Sequence, residues 1–171
     1  MLEQFDKSKK YVVVGFPKCG QISLVNYLIK KGYDVTRMDC IWRSNAKELI
    51  EGQHGGRQPI IVTRDPIAMI WSSYWYWPYN TYMSFPQYLK HEVPTETSLG
   101  TENPIDHADY ERHIAKFADM NPLMFKFEDL ITLPDYPHDN KTIYKPQITL
   151  KQTKWIEDAL ASKKDYPPYT D

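Results

Sequence analysis

Tyr11-Val12-Val13-Val14-Gly15-Phe16-Pro17-Lys18-Cys19-Gly20-Gln21-Ile22 is the stretch on which the reading of this chain turns. Residues 11–16 are apolar and rich in β-branched side chains, as a strand buried on both faces requires. Gly15-Phe16-Pro17-Lys18-Cys19-Gly20 then punctuates the run. From Gln21 the period changes: Ile22, Val25, Leu28 and Ile29 recur at helical spacing, and Lys30-Lys31-Gly32 mark the helix end. Strand, glycine-containing loop and helix, in that order, form the first half of a βαβ unit. Such a loop aims backbone N–H groups and the positive end of a helix dipole at one spot, which predicts an anion site.

Downstream, the same alternation continues. A second strand is expected over Tyr33 to Met38, a helix over 44–51, and a turn at Gly52-Gln53-His54-Gly55-Gly56. Pro59-Ile60-Ile61-Val62-Thr63 reads as another buried strand, ended by Arg64. Asp65-Pro66 supplies a helix cap followed by proline at the first helical position, and that helix runs to about Trp77 before Pro78. A short helix is expected over 84–91, a polar loop over 93–105 and a longer helix over 105–120. A strand over 123–127, an irregular stretch over 131–148 and an amphipathic helix from Thr149 to about Ala161 complete the pattern. Alternating strands and helices predict an α/β fold in three layers, with a mainly parallel central sheet and helices on both faces.

The 171 residues suit one domain spanning 1–171, large enough to bury about 70% of the unfolded chain's surface. Twenty-one basic against 22 acidic residues leave a net charge of −1, with no run of like charge. That balance argues against a nucleic-acid partner held by phosphate neutralisation. No apolar run approaches bilayer length, and Met1 to Lys7 lack a signal-peptide pattern, so no membrane partner is expected. Two cysteines, Cys19 and Cys40, make no disulfide framework and fit a reducing, cytoplasmic setting.

Gly15 and Gly20 have the spacing of the two glycines in a Walker A loop. The Lys and Ser/Thr that should follow are replaced by Gln21 and Ile22, and the lysine lies inside the loop as Lys18. An ordinary hydrolysing loop would therefore lack its cation and its magnesium-binding hydroxyl. The plainer alternative is a tight turn carrying a lysine. However, Gly-x-Pro-Lys-x-Gly between strand and helix resembles the 5′-phosphosulfate loop of the sulfotransferases, enzymes that use 3′-phosphoadenosine 5′-phosphosulfate (PAPS). Arg64-Asp65-Pro66 followed by Ser72 is similar to that family's 3′-phosphate segment, with the serine eight positions after the arginine. Ser84-Phe85-Pro86-Gln87-Tyr88-Leu89 and Phe127-Glu128-Asp129-Leu130 resemble later family blocks, in the same order. The resemblance runs from about Tyr11 to Tyr169 and implies a P-loop-like sulfotransferase fold.

The same resemblance implies a set of roles. Pro17 and Lys18 belong to the loop, with Lys18 reaching the bridging oxygen between phosphate and sulfate, where charge develops as that bond breaks. Amides of Cys19, Gly20, Gln21 and Ile22 cradle the 5′ phosphate, and Ser23 adds a hydroxyl. Arg64 and Ser72 bind the 3′ phosphate, and Phe127 is the aromatic position near the adenine. Transfer is in-line to a hydroxyl or amine of a small-molecule or carbohydrate acceptor, and no metal is expected. The family's general base, a His or an Asp/Glu after the second strand, points to Asp39, with His54 as competitor. Structural roles remain open for each of these: an ion pair for Arg64, back-bonding to its helix for Ser72, a loop or cap for Asp39 and His54.

Some features depart from the family. Gln21 and Ile22 stand where two hydroxyl residues are usual. An Arg-Lys-Gly segment near the C-terminus is missing, with Lys141 or Lys145 as stand-ins. These departures keep two rivals in play: a catalytically degenerate nucleotide-binding module, and a P-loop kinase of small molecules.

Trp71, Tyr74, Trp75, Tyr76, Trp77, Tyr79, Tyr82, Phe85 and Tyr88 crowd one stretch. Helical positions such as Trp71 and Tyr74 should pack a core, whereas consecutive residues 74–77 cannot share one helix face, so part of the stretch is exposed or covers an acceptor pocket. Cys19 sits where a helix N-terminus lowers a thiol pKa, although a small loop residue is the simpler reading. His91, His107, His113 and His138 fit no triad or metal spacing and are expected at the surface.

Overall fold

Val12, Val13 and Val14 are fully buried in the middle of a four-stranded, all-parallel sheet of order β2-β1-β3-β4. The computed structural model describes residues 1–39, 41, 43–76, 79–90, 103–139 and 145–162, with Asp39 described by its backbone alone. The elements are β1 (Lys10–Gly15), α1 (Gln21–Lys30), β2 (Asp34–Asp39), α2 (Ala46–Gln53), β3 (Gln58–Thr63), α3 (Pro66–Tyr76) and α4 (Tyr79–Tyr82). They continue as α5 (Phe85–Leu89), α6 (Pro104–His107), α7 (Tyr110–Ala115), β4 (Leu123–Lys126), α8 (Phe127–Leu130) and α9 (Leu150–Ala161). Single 3₁₀ turns occur at Leu2–Gln4 and Ala118–Met120.

Two compact units form. The first comprises Met1–Arg64 and Tyr110–Lys141, the second Asp65–Asp109 and Thr142–Asp171. All four strands belong to the first. β1 pairs with β2 along its whole length, Lys10 opposite Asp34 and Gly15 opposite Asp39. Its other edge pairs with β3, Tyr11 opposite Gln58 and Val14 opposite Ile61. Lys10 is exposed at the start of the strand, but from Tyr11 to Val14 both edges are bonded and every residue is buried, which explains the unbroken apolar run there. Leu24 and Leu28 of α1 are also fully buried. The helix ends where the sequence indicates: Gly32 takes φ 87°, and the N–H groups of Gly32 and Tyr33 bond back to Ile29 O and Leu28 O at 2.9 and 3.1 Å.

Among the described residues the elements of the second unit are helices, and their core is aromatic. Phe85 stands edge-on to Trp71 and Tyr74, with ring centroids 4.9 and 5.1 Å apart, and Tyr88 packs on Tyr74 and Tyr79. Trp71 Nε1 donates to Pro146 O and Tyr74 OH to Met83 O, each at 2.9 Å, so the polar tips are satisfied. Five of the crowded aromatics are therefore core: Trp71, Tyr74, Tyr79, Phe85 and Tyr88. Tyr76 and Tyr82 are exposed, and Trp77 lies outside the described residues.

Three expectations need correction. The helix expected over 105–120 is broken into α6, α7 and a 3₁₀ turn, with Asp109 (a residue type that favours helix starts) at the first break. The strand expected over 123–127 stops at Lys126, and Phe127 opens α8 instead. His107 and His113 are buried rather than at the surface, because every residue of α6 is enclosed and the His113 ring packs on Phe16; His138 is exposed and His91 lies outside the described residues.

Phe85 is 6% exposed at the centre of the aromatic cluster. Phe85→Ala should lower unfolding free energy by about 3–5 kcal/mol, read as a lower urea midpoint at unchanged slope.

Candidate functional site

The strand order reverses at β1. The chain leaves β1 for β2 on one side and returns to β3 on the other, so the ends of β1 and β3 lie side by side while their continuations diverge. Open parallel sheets bind ligands at such points. Residues 15–20 leave β1 there and Arg64 follows β3 there, so the topology brings the predicted loop and the predicted arginine together.

Their contact is direct. Arg64 Nη1 donates to the carbonyl of Lys18 at 2.8 Å, and the guanidinium carbon lies 4.4 Å from the centroid of the Phe127 ring. One of the five guanidinium donors is thus committed to the loop, and the group lies against the aromatic ring. Lys18 itself has φ 52° and Gly20 has φ 74°, two positive-φ residues with Cys19 between them. For lysine that conformation costs about 1–2 kcal/mol, and the bond from Arg64 to its carbonyl offsets part of it. At Gly20 the missing side chain is a requirement: a Cβ would stand 2.7 Å from Cδ2 and Cε2 of Phe127. The Gly20 carbonyl accepts the first helical bond of α1, from Leu24 N–H at 3.0 Å.

Side chains above and below hold the loop. Phe16 is fully buried and meets the Tyr110 ring edge-on at 4.6 Å and the His113 ring at 6.0 Å. Cys19 is buried, and loss of solvent pushes its thiol up to about 12, a stronger effect than the nearby Tyr110 hydroxyl and Arg64 charge that act the other way. The helix N-terminus therefore does not make it reactive. Burial also raises the Tyr110 phenol. Lys116, on the turn after α7, donates to Ile41 O and Arg43 O at 3.2 and 2.8 Å and tethers the chain that follows β2.

The remaining predicted residues are distributed unevenly. Pro17, Gln21 and Ile22 are partly buried in the loop and first turn of α1. Ser23 is buried, and its hydroxyl is already engaged: it accepts from Asp139 N–H at 2.9 Å and donates to Asp139 O at 3.3 Å. Asn26 Nδ2 donates to the Asp139 carboxylate at 2.8 Å, and the Tyr136 ring packs on Tyr27 at 5.3 Å. Segment 136–139 is thereby fastened to α1, a tie between distant residues that no local pattern foreshadows. Its only sequence signal was an aromatic and an acidic residue in a proline-containing stretch. Asp39 is the last residue of β2, opposite Gly15 and hence at the loop end of the sheet. His54 follows α2, and Arg57 N–H bonds to its carbonyl at 3.1 Å, leading directly into β3. It therefore lies at the edge where strands begin, away from the loop. Ser72 is buried on α3 in the second unit, whose first turn is capped by Asp65 accepting from Ala68 N–H at 3.1 Å.

Among the described residues no three His, Cys, Asp or Glu side chains group as a metal site, and no helix is long and apolar enough to cross a membrane. Neither the family models nor the curated proteins contain a match to this chain. The site's chemistry thus rests on its own geometry and on the motifs.

Two outcomes test this geometry. Gly20→Ala should destabilise by about 1–3 kcal/mol, and less in a Phe127→Ala background, where the ring contact is gone and only backbone strain remains. In a Cys40→Ser variant, with Cys19 the single thiol, iodoacetamide at pH 8 should label the folded protein far more slowly than the urea-unfolded one. A thiol of pKa near 12 is thiolate in only about one molecule in ten thousand at that pH.

Proposed function

We propose that the chain is a sulfotransferase that binds PAPS at the loop of residues 15–20 and transfers its sulfuryl group to a hydroxyl or amine. The observation that carries the reading is the Arg64–Lys18–Phe127 arrangement. A cation, a left-handed loop lysine and an aromatic face meet at the point where the strand order reverses, as a nucleotide with separated anionic groups would need. A chain of net charge −1 can hold such a ligand because its cations are placed locally.

In this reading the amides of Cys19 to Ile22 face the 5′ phosphate, and Lys18 stabilises the leaving oxygen as the sulfur–oxygen bond breaks. Arg64 keeps one donor on the loop and offers others to the 3′ phosphate, with the adenine against Phe127; the resemblance adds Ser72. Asp39 takes the acceptor proton. The transfer is balanced: the acceptor oxygen or nitrogen bonds sulfur, the bridging bond breaks, 3′,5′-adenosine diphosphate leaves, and the acceptor's proton passes to Asp39. The degenerate binding module remains a second reading, favoured by the commitment of the Ser23 hydroxyl to Asp139 and by Gln21 in a position where hydroxyl residues are usual.

Calorimetry with 3′,5′-adenosine diphosphate against ATP with magnesium tests the reading. Binding of the former is expected; preference for the latter would establish the kinase alternative instead. Lys18→Ala and Arg64→Ala should each weaken that binding by about 10- to 100-fold, the value of a charged hydrogen bond. With labelled PAPS and a panel of phenols, sugars and amines, Asp39→Asn should lower turnover at unchanged nucleotide affinity. Binding without turnover on any acceptor would leave the module reading standing.

A further inference from the structure

Lys116 Nζ stands 2.8 Å from Arg43 O, 3.2 Å from Ile41 O and 3.2 Å from His113 Nδ1. A lysine ammonium has three N–H donors and accepts nothing, so Nδ1 has to be the accepting, unprotonated nitrogen of the imidazole. The ring proton then sits on Nε2, to which the Arg112 guanidinium, also a donor only, comes within 3.4 Å. The charged groups drawn up to the ring are thus Lys116 and Arg112, on α7 and the turn after it. From the loop it is met by the uncharged Phe16, on which Tyr110 packs. His113 is fully buried. A proton on Nδ1 would aim a donor at the ammonium and enclose a positive charge between two others, away from water.

The tie reaches the loop by two routes. Ile41, whose carbonyl Lys116 holds, donates its own N–H to Gly15 O at 3.3 Å, and Gly15 lies opposite Asp39 in the pairing of β1 with β2. Phe16, the next residue of the loop, meets the His113 ring at 6.0 Å. The start of the loop and the end of β2 are therefore joined through one imidazole and one ammonium.

Resting on the reading of the loop as a nucleotide seat, we propose that His113 is a positioning residue for that seat. As a neutral imidazole it orients the Lys116 ammonium, which fixes the chain after β2, and Asp39 with it, against the start of the loop. The ring touches no ligand itself and acts through Lys116 and Phe16.

His113→Asn and His113→Leu, each compared with the unsubstituted chain, test this. Asparagine puts a carbonyl oxygen where Nδ1 stands and takes up no proton; leucine fills similar space and offers no acceptor. An unfolded histidine gains a proton near pH 6.5, roughly, whereas the folded ring has no place for one at Nδ1, so folding expels it. Stability from this group is full above that pH and is lost as pH falls below it. Between pH 7.5 and 5.5 the folded-to-unfolded ratio from urea titration should drop about tenfold further in the unsubstituted chain than in His113→Asn. Other groups titrate alike in the two chains and cancel. Parallel profiles would overturn the proposal. Calorimetry at pH 7.5 with 3′,5′-adenosine diphosphate should then find His113→Asn within about twofold of the unsubstituted chain and His113→Leu about tenfold weaker, the value of one charged hydrogen bond. Equal affinity in all three would overturn the positioning role while leaving the nucleotide reading intact. Binding by none would sink the nucleotide reading, and the pH profiles, which need no ligand and no leucine variant, would still judge the His113–Lys116 tie.

Discussion

The parallel pairing of β1 on both its edges is the constraint from which the rest follows. A strand bonded to two neighbours and covered on both faces has no polar group to spare along its length, so function has to begin where it ends. Its neighbours were reached in opposite directions, first β2 and then β3. The segment leaving β1 and the segment leaving β3 therefore emerge together, and Arg64 meets Lys18 without any other device being needed.

The loop is shaped by small steric requirements more than by strong bonds. Gly20 allows the Phe127 ring to lie against the backbone, and the ring in turn supports the guanidinium of Arg64. Lys18 holds a conformation that lysine adopts at a cost, and its carbonyl is turned to the arginine. Below, Phe16 and Cys19 are enclosed, so the same burial that anchors the loop removes the thiol's reactivity. Ser23 holds segment 136–139 to α1 rather than leaving its hydroxyl available. Each contact serves to keep backbone N–H groups and one arginine in a fixed relation.

Much of this was legible in the residues because it depends on local pattern. The valine run, the change of period at Gln21, the stop at Gly32 and the Asp65-Pro66 helix start all depend on neighbours within one turn or one strand, and the structure has them where the pattern indicates. What failed to show depends on residues far apart in the chain. The break at Asp109 is a competition between helix continuation and capping that propensity alone does not decide. The burial of His113 depends on Phe16, and the tie from Ser23 to Asp139 spans residues with no common motif. The separation of His54 from the loop follows from the direction in which α2 returns to β3, not from any property of histidine.

The same division holds at the loop itself. Sequence alone determined that a glycine-containing loop lies between a buried strand and a helix, that its lysine is internal, and that Gln21 and Ile22 follow its second glycine. Those are statements about order and spacing along one segment. Only the tertiary structure decided that Arg64 bonds the Lys18 carbonyl, that Phe127 requires Gly20, and that the Gln21 carboxamide fills the space Gly15 leaves empty. Each is a matter of which atoms occupy the same few cubic ångströms, and close packing between distant segments fixes that while periodicity does not.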